Sequence, residues 1–181
     1  MTSRTIHVAR ERFHLAWDNA LEPIATIASG DVVDFDLLDA SCGQITSAAT
    51  VETIRSLDFS RVDQVNGPIA IDGARPGDTL EIEFLAIATA DWGWTTIIPG
   101  FGLLADEFTE PAVKIWKLDG GANGFAEFAP GIRVPLAPFC GRDRRRTGCT
   151  RSAFNDSAVP SRRQHGHKAC DGGHAALHVA P

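Results

Sequence analysis

The chain has 181 residues, 44% hydrophobic and 22% charged, a balance that suits one globular domain and excludes a disordered or fibrous polypeptide. No run of about 18 apolar residues offers a membrane span, and the opening MTSRTIHVARERF lacks the apolar segment of a secretory signal, so the expected location is the cytoplasm. A net charge of −6 argues against generic nucleic-acid binding, which needs a basic surface to displace counterions.

In chain order, residues 22–28, EPIATIA, read as a short strand that runs into a turn at Gly30. Residues 31–37, DVVDFDL, then alternate polar and apolar, the period of a strand with one buried face. Residues 49–58, ATVETIRSLD, predict a brief helix, too short to stand alone. Residues 67–71, GPIAI, predict another short strand, and DTLEIEFLAI at 78–87 alternates again behind Pro76-Gly77. AVKIWKL at 112–118 is a further such run, interrupted by Lys114 and Lys117. Short strands separated by Gly, Pro and Asp turns predict an all-β sandwich or barrel. The Gly-Asp turn leading into a strand occurs twice, at 30–36 and 77–84.

Composition changes abruptly near residue 142. Residues 142–181 carry eight Lys and Arg against three Asp, whereas residues 1–141 carry nine against twenty acidic residues. All four Trp precede residue 117. The stretch RDRRR and the polar SRRQHGHKACDGGH show no sustained period and predict an unstructured basic tail.

Several segments of the first 141 residues carry a resemblance. They are HLAWDNALEPIATIASGDVVDFDLLDASCGQIT at 14–46, VNGPIAIDGARPGDTLEIEFLAI at 65–87, DWGWTTIIPGFGLLADEFTEPAVKIW at 91–116 and IRVPLAPFCG at 132–141. Together they resemble the acetamidase/formamidase family of bacterial and fungal amidohydrolases, over about residues 7–141. The resemblance implies hydrolysis of a short aliphatic amide to a carboxylic acid and ammonia. It also implies a β-sandwich-like fold, a divalent metal ion such as zinc or acid/base catalysis, and a homo-oligomer in the intact family.

The resemblance stops after Cys140-Gly141. Family members would continue with segments like IGVAP and, further on, RRGGNMD. Plausible GC-rich codons for residues 143–149, read one nucleotide later, can spell Ile-Gly-Val-Ala-Pro-Ala; those for 160–174 can begin Arg-Arg-Gly-Gly-Asn-Met-Asp. A shift of reading frame near residue 142 is therefore expected. It divides the chain into residues 1–141, the N-terminal part of the family domain, and residues 142–181, an aberrant tail. The chain is then expected to be truncated and weakly active or inactive.

Amide hydrolysis needs an activated water, a polarised carbonyl and an acid for the leaving amine. The candidates are His14, Asp18 and Asp39 as metal ligands, with Asp39, Asp18 and Glu110 as acid/base groups. Asn19 and Gln44 are candidates to orient the substrate amide, and Trp92 and Trp94 to line its apolar side. Blander readings stand beside these. His14 suits a surface strand, Asp18-Asn19 suits a turn bonded to its own backbone, and Glu110 suits a solvated loop. Cys42 has no His at a recognisable spacing and is not expected to act as nucleophile, and Cys140 reads as a small buried residue. In the tail, Cys149, His165, His167, Cys170, His174 and His178 imitate a zinc site, with His174 and His178 at helical i,i+4 spacing; the frame shift accounts for them without a metal. A competing reading is a non-catalytic β-domain whose basic tail binds nucleic acid or an acidic partner, although Phe154 is the tail's only aromatic residue besides His.

Overall fold

The computed structural model describes residues 3–119, 124–140, 153–154 and 173–180, and its regular structure is almost all strand. The strands are β1 (Thr5–Val8), β2 (Phe13–His14), β3 (Ala16–Trp17), β4 (Ala25–Ile27), β5 (Val32–Asp36), β6 (Val65–Asn66), β7 (Ile69–Ile71), β8 (Glu81–Thr89), β9 (Trp92–Ile97), β10 (Ala112–Asp119), β11 (Phe125–Ala129), β12 (Ile132–Pro135), β13 (Ala153–Phe154) and β14 (Gly173–Ala180). One helical turn, α1 (Val51–Arg55), and a 3-10 turn at Phe59–Arg61 separate β5 from β6. The expected all-β class is observed.

The first sheet has the order β1-β5-β14-β8. Strands β1 and β5 run parallel, with Ile6 opposite Val33 and Val8 opposite Phe35. Side chains alternate across a strand, so these four apolar residues share one face. That face forms the core: Val8, Ile27 and Val33 are buried, with Ile24, Ile69, Ile71 and Leu80 packed against them. The parallel pair β4–β7 delivers Ile27 and Ile71 side by side. On the opposite face His7 Nδ1 lies 3.1 Å from Asp34, and Arg10 grips both oxygens of Asp36 at 2.7 Å. These exposed pairs set register more than stability.

The two Gly-Asp turns are built alike. Gly30 and Gly77 adopt φ of +91° and +104°, which only glycine tolerates cheaply. Asp31 then accepts the Ala28 N–H at 2.9 Å and returns its own N–H to the Ala28 carbonyl at 3.1 Å. Asp78 does the same with Arg75, at 2.7 and 3.1 Å. Each carboxylate thus reaches back three residues and closes its turn. Asp31 also accepts the backbone N–H and guanidinium of Arg4, tying the turn to the start of β1. The Ala28 N–H, followed by Arg4, holds the Asp31 carboxyl below the ordinary carboxylate value.

The second sheet is an antiparallel meander, β12-β11-β10-β9. Its β10 fulfils the expectation for 112–118. Trp116 stands opposite Gly93, where no side chain competes for space, and donates to the Thr95 hydroxyl at 3.0 Å. Lys114 Nζ sits 4.9 Å from the centre of the Trp116 ring.

Beyond residue 141 the outcome differs in part from the expectation. Strand β13 pairs with β3, and β14 fills the slot between β5 and β8. The physical reason is that β5 and β8 each present a row of backbone N–H and C=O groups, and an extended segment between them satisfies both rows. Residues 174 and 178 therefore lie on a strand, where four residues span about 13 Å, rather than on one turn of helix. Residues 141–152 and 155–172, which hold the expected boundary, Cys149, His165, His167 and Cys170, lie outside the described residues.

Candidate functional site

The segment after β5 folds into the most deeply buried polar turn among the described residues. Asp39 and Ser41 are 6% and 1% exposed, and Ile45 is 1% exposed. The Asp39 carboxylate organises the turn. Its Oδ2 accepts the Ser41 N–H at 3.0 Å, the Ser41 hydroxyl and the Trp94 indole N–H at 2.8 Å, while Oδ1 accepts the Gly43 N–H at 2.8 Å. Ser41 Oγ in turn accepts the Ile45 N–H at 2.9 Å. Four donors stabilise a buried anion that would otherwise be costly to desolvate. Oδ2 thus takes three of the four donors and Oδ1 one.

A second segment clamps the turn from outside. Asp63 donates its N–H to the Ala40 carbonyl at 2.7 Å, and Gln64 Nε2 donates to the Asp39 carbonyl at 2.7 Å. Cys42 and Asp63, at φ of +58° and +60°, are the two non-glycine residues with positive φ among the described residues. Both sit at this junction. Backbone held in a sparsely populated region persists where surrounding contacts over-determine it, as at ligand sites.

The expected site residues separate into two groups. Asp39, Gln44 and Trp94 meet here. Gln44 spends its amide on the polypeptide: Nε2 donates to the Ser41 and Asp58 carbonyls at 2.9 and 3.1 Å, and Oε1 accepts the Asp58 N–H at 2.9 Å. Trp92 shares the β9 face of Trp94, two residues away. His14, Asp18 and Asn19 lie on the β2–β3 segment. Asp18 Oδ1 accepts the Ala20 N–H at 2.9 Å, closing a turn. His14 Nδ1 donates to the Ala16 carbonyl at 2.8 Å, which in the neutral ring leaves Nε2 as an acceptor. Glu110 is exposed in the loop before β10.

Among the described residues no group of three or more His, Cys, Asp and Glu side chains is placed to hold a metal ion. His14, Asp18 and Asp39 are not gathered into such a group: Asp18 closes its own turn and Asp39 the turn after β5. Burial pushes the Cys42 thiol up, and the nearby Arg61 guanidinium opposes that shift more weakly. A thiol held protonated is a poor nucleophile. Ser41 and Gln64 went unnoticed in the sequence. The spacing of Ser41 to Asp39 is that of a side-chain-closed turn and was legible; Gln64 is 25 residues from its partner and carried no local signal.

A profile of the Acetamidase/Formamidase family matches residues 2–161. Formamidase from Methylophilus methylotrophus is 31% identical over 115 residues, covering 60% of this chain and 28% of its own. Acetamidase from Mycolicibacterium smegmatis is 26% identical over 133 residues, covering 66% and 32%. The chain thus spans about a third of the curated relatives it matches. Among solved structures, an acetamidase from Bacillus halodurans aligns with a TM-score of 0.74 at 25% identity, over 97% of this chain and 70% of that one. A gamma lactamase from Delftia acidovorans aligns with a TM-score of 0.63 at 25% identity, over 68% and 32%.

Proposed function

The chain belongs to the acetamidase/formamidase family, and from that premise we propose that it is part of a hydrolase that converts short linear amides, formamide and acetamide foremost, to the carboxylic acid and ammonia. The observation that carries the reading is the 2.8 Å bond from Trp94 to Asp39, which joins two of the segments that bear the family resemblance. It sets a buried carboxylate against the aromatic strand that is the candidate substrate wall.

In this reading Asp39 Oδ1, which takes one of the four donors, accepts a proton from the attacking water. Oxygen adds to the amide carbonyl carbon, the C–N bond breaks, and the nitrogen leaves as ammonia after gaining a proton. Trp92 and Trp94 exclude bulk water from the acyl side. Glu110 is the candidate acid for the leaving nitrogen. The enzyme is proposed to work in the cytoplasm as a homo-oligomer.

The 181-residue chain is proposed to be weakly active or inactive. The exposed loop residues Phe101, Leu103, Leu104 and Phe108 support this, since an intact domain rarely leaves so much apolar surface contiguous and uncovered. The test is ammonia release from formamide and acetamide by this chain and by a version restored to the alternative frame after Gly141. Little or no ammonia is expected from the first and multiple turnovers from the second. A folded, frame-restored protein that releases none would refute the reading.

A further inference from the structure

In the first sheet β5 and β8 are joined through β14 rather than to each other. Strand β14 is antiparallel to both. It pairs with β8 from Gly173 opposite Thr89 to Ala180 opposite Glu81, and with β5 from His174 opposite Asp36 to His178 opposite Val32. The walls and the filling differ in origin. β5 and β8 lie inside residues 2–161, the stretch that the family profile matches, whereas β14 lies beyond it and beyond the change of composition near residue 142. The slot belongs to the family fold, and the segment that fills it lies outside the matched stretch.

A slot that accepts such a segment reads backbone. A central strand satisfies its neighbours through N–H and C=O groups, which every residue but proline carries in full. Two further features set the register. Ala175 stands opposite Phe35 and Leu177 opposite Val33, on the side of β5 that faces the core, so the slot calls for apolar residues at alternate positions. Where Ala176 faces Ala86 and Leu177 faces Phe84, Leu85 has no opposite residue, and this irregularity pins the segment along β8. We infer that the β5–β8 slot is a peptide-binding site, which takes an extended segment with alternating apolar residues by strand addition and is occupied in this chain by its own residues 173–180. The tethered strand competes at an effective concentration on the order of millimolar, so a free peptide enters as that strand leaves. The inference is independent of the amidase reading.

The experiment uses the full 181-residue chain and a fluorescein-labelled peptide GHAALHVA, the sequence of residues 173–180, followed by fluorescence anisotropy. In the double variant Ala175→Pro, Leu177→Pro the tethered strand loses two N–H groups and is expected to leave the slot. The peptide should then bind the variant about tenfold more tightly than wild type, or better. The same peptide with proline at both positions should bind neither protein. If the variant loses the near-ultraviolet Trp spectrum of wild type, unlabelled peptide at about millimolar concentration should restore it. A variant that neither binds the peptide nor is restored by it would overturn the inference. So would equal binding of the peptide by wild type and variant, or equal binding of the peptide and its proline form. In wild type the backbone amides of 173–180 should exchange as slowly as those of β5 and β8. Fast exchange at 173–180 beside slow exchange in both walls would mean that the slot closes without the strand, and would overturn the inference as well.

Discussion

The Asp39–Gln44 turn and the Gly100–Phe108 loop invert the usual relation between polarity and burial. The first is polar, yet Asp39 and Ser41 are almost fully buried. The second is apolar, yet Leu103 is fully exposed and Phe101, Leu104 and Phe108 are about half exposed. The difference lies in how each kind of residue is satisfied. A carboxylate needs a few donors in fixed directions, and three of the four it uses come from residues two to four positions away. Apolar side chains need an opposing surface, and within the described residues the loop gains one ring contact, Phe101 against Phe59 at 6.0 Å. A polar turn can complete itself; an apolar loop needs polypeptide from elsewhere.

The largest effect is expected where the self-sufficient turn is broken. Asp39→Ala should destabilise the chain by about 3–5 kcal/mol, because the Ser41, Gly43 and Trp94 donors are stranded together in a buried site. Urea unfolding measures it, and a loss near zero would show that the turn does not depend on its carboxylate. Asp39→Asn is a less clean probe of chemistry than its shape suggests, since the new amide turns N–H groups toward donors already in place.

A smaller effect is expected at the edge of the same turn. The Ser60 hydroxyl, then the Ser60 N–H, hold the Asp58 carboxyl below its ordinary value of 3.8. Between the lowered folded value and 3.8 the unfolded chain binds more protons than the folded one. The Asp58 contribution is therefore complete above the unfolded value and lost as pH falls through the folded one. Stability measured down an acid series should fall less steeply in Asp58→Asn than in wild type. Matching acid profiles would remove Asp58 from the account.

The smallest effect on stability should come from the apolar loop. Replacing Leu103 and Leu104 by Lys should change unfolding free energy by roughly 0.5 kcal/mol or less, the usual range for surface changes. Binding of a dye for apolar surface should nevertheless drop. A large destabilisation would mean that this chain already covers the loop, and the contrast between the two regions would fail.

The alternating runs at 31–37, 78–87 and 112–118 announced β5, β8 and β10, and 49–58 announced α1, because such patterns act over a few residues. β1, β9 and β14 were missed for different reasons. TIHV alternation over four residues is too short to stand out in Thr5–Val8. Trp92–Ile97 reads as pocket lining before it reads as strand, and 173–180 follows a basic stretch that masks its extended character. Asp39 and Trp94 were each legible as candidates but not as partners, and nothing local announced that the amide of the candidate Gln44 bonds Ser41 and Asp58.

By itself the sequence determined the all-β class, the family, and the places where the chain turns, since alternation, Gly-Asp turns and contiguous motifs act over a few residues. The tertiary structure alone decided that Trp94 meets Asp39 across 55 residues and that Gln64 clamps the same turn across 25. A strand residue's direction follows from its own register, whereas the direction of a loop side chain is set by whichever distant donor or acceptor packing brings within about 3 Å.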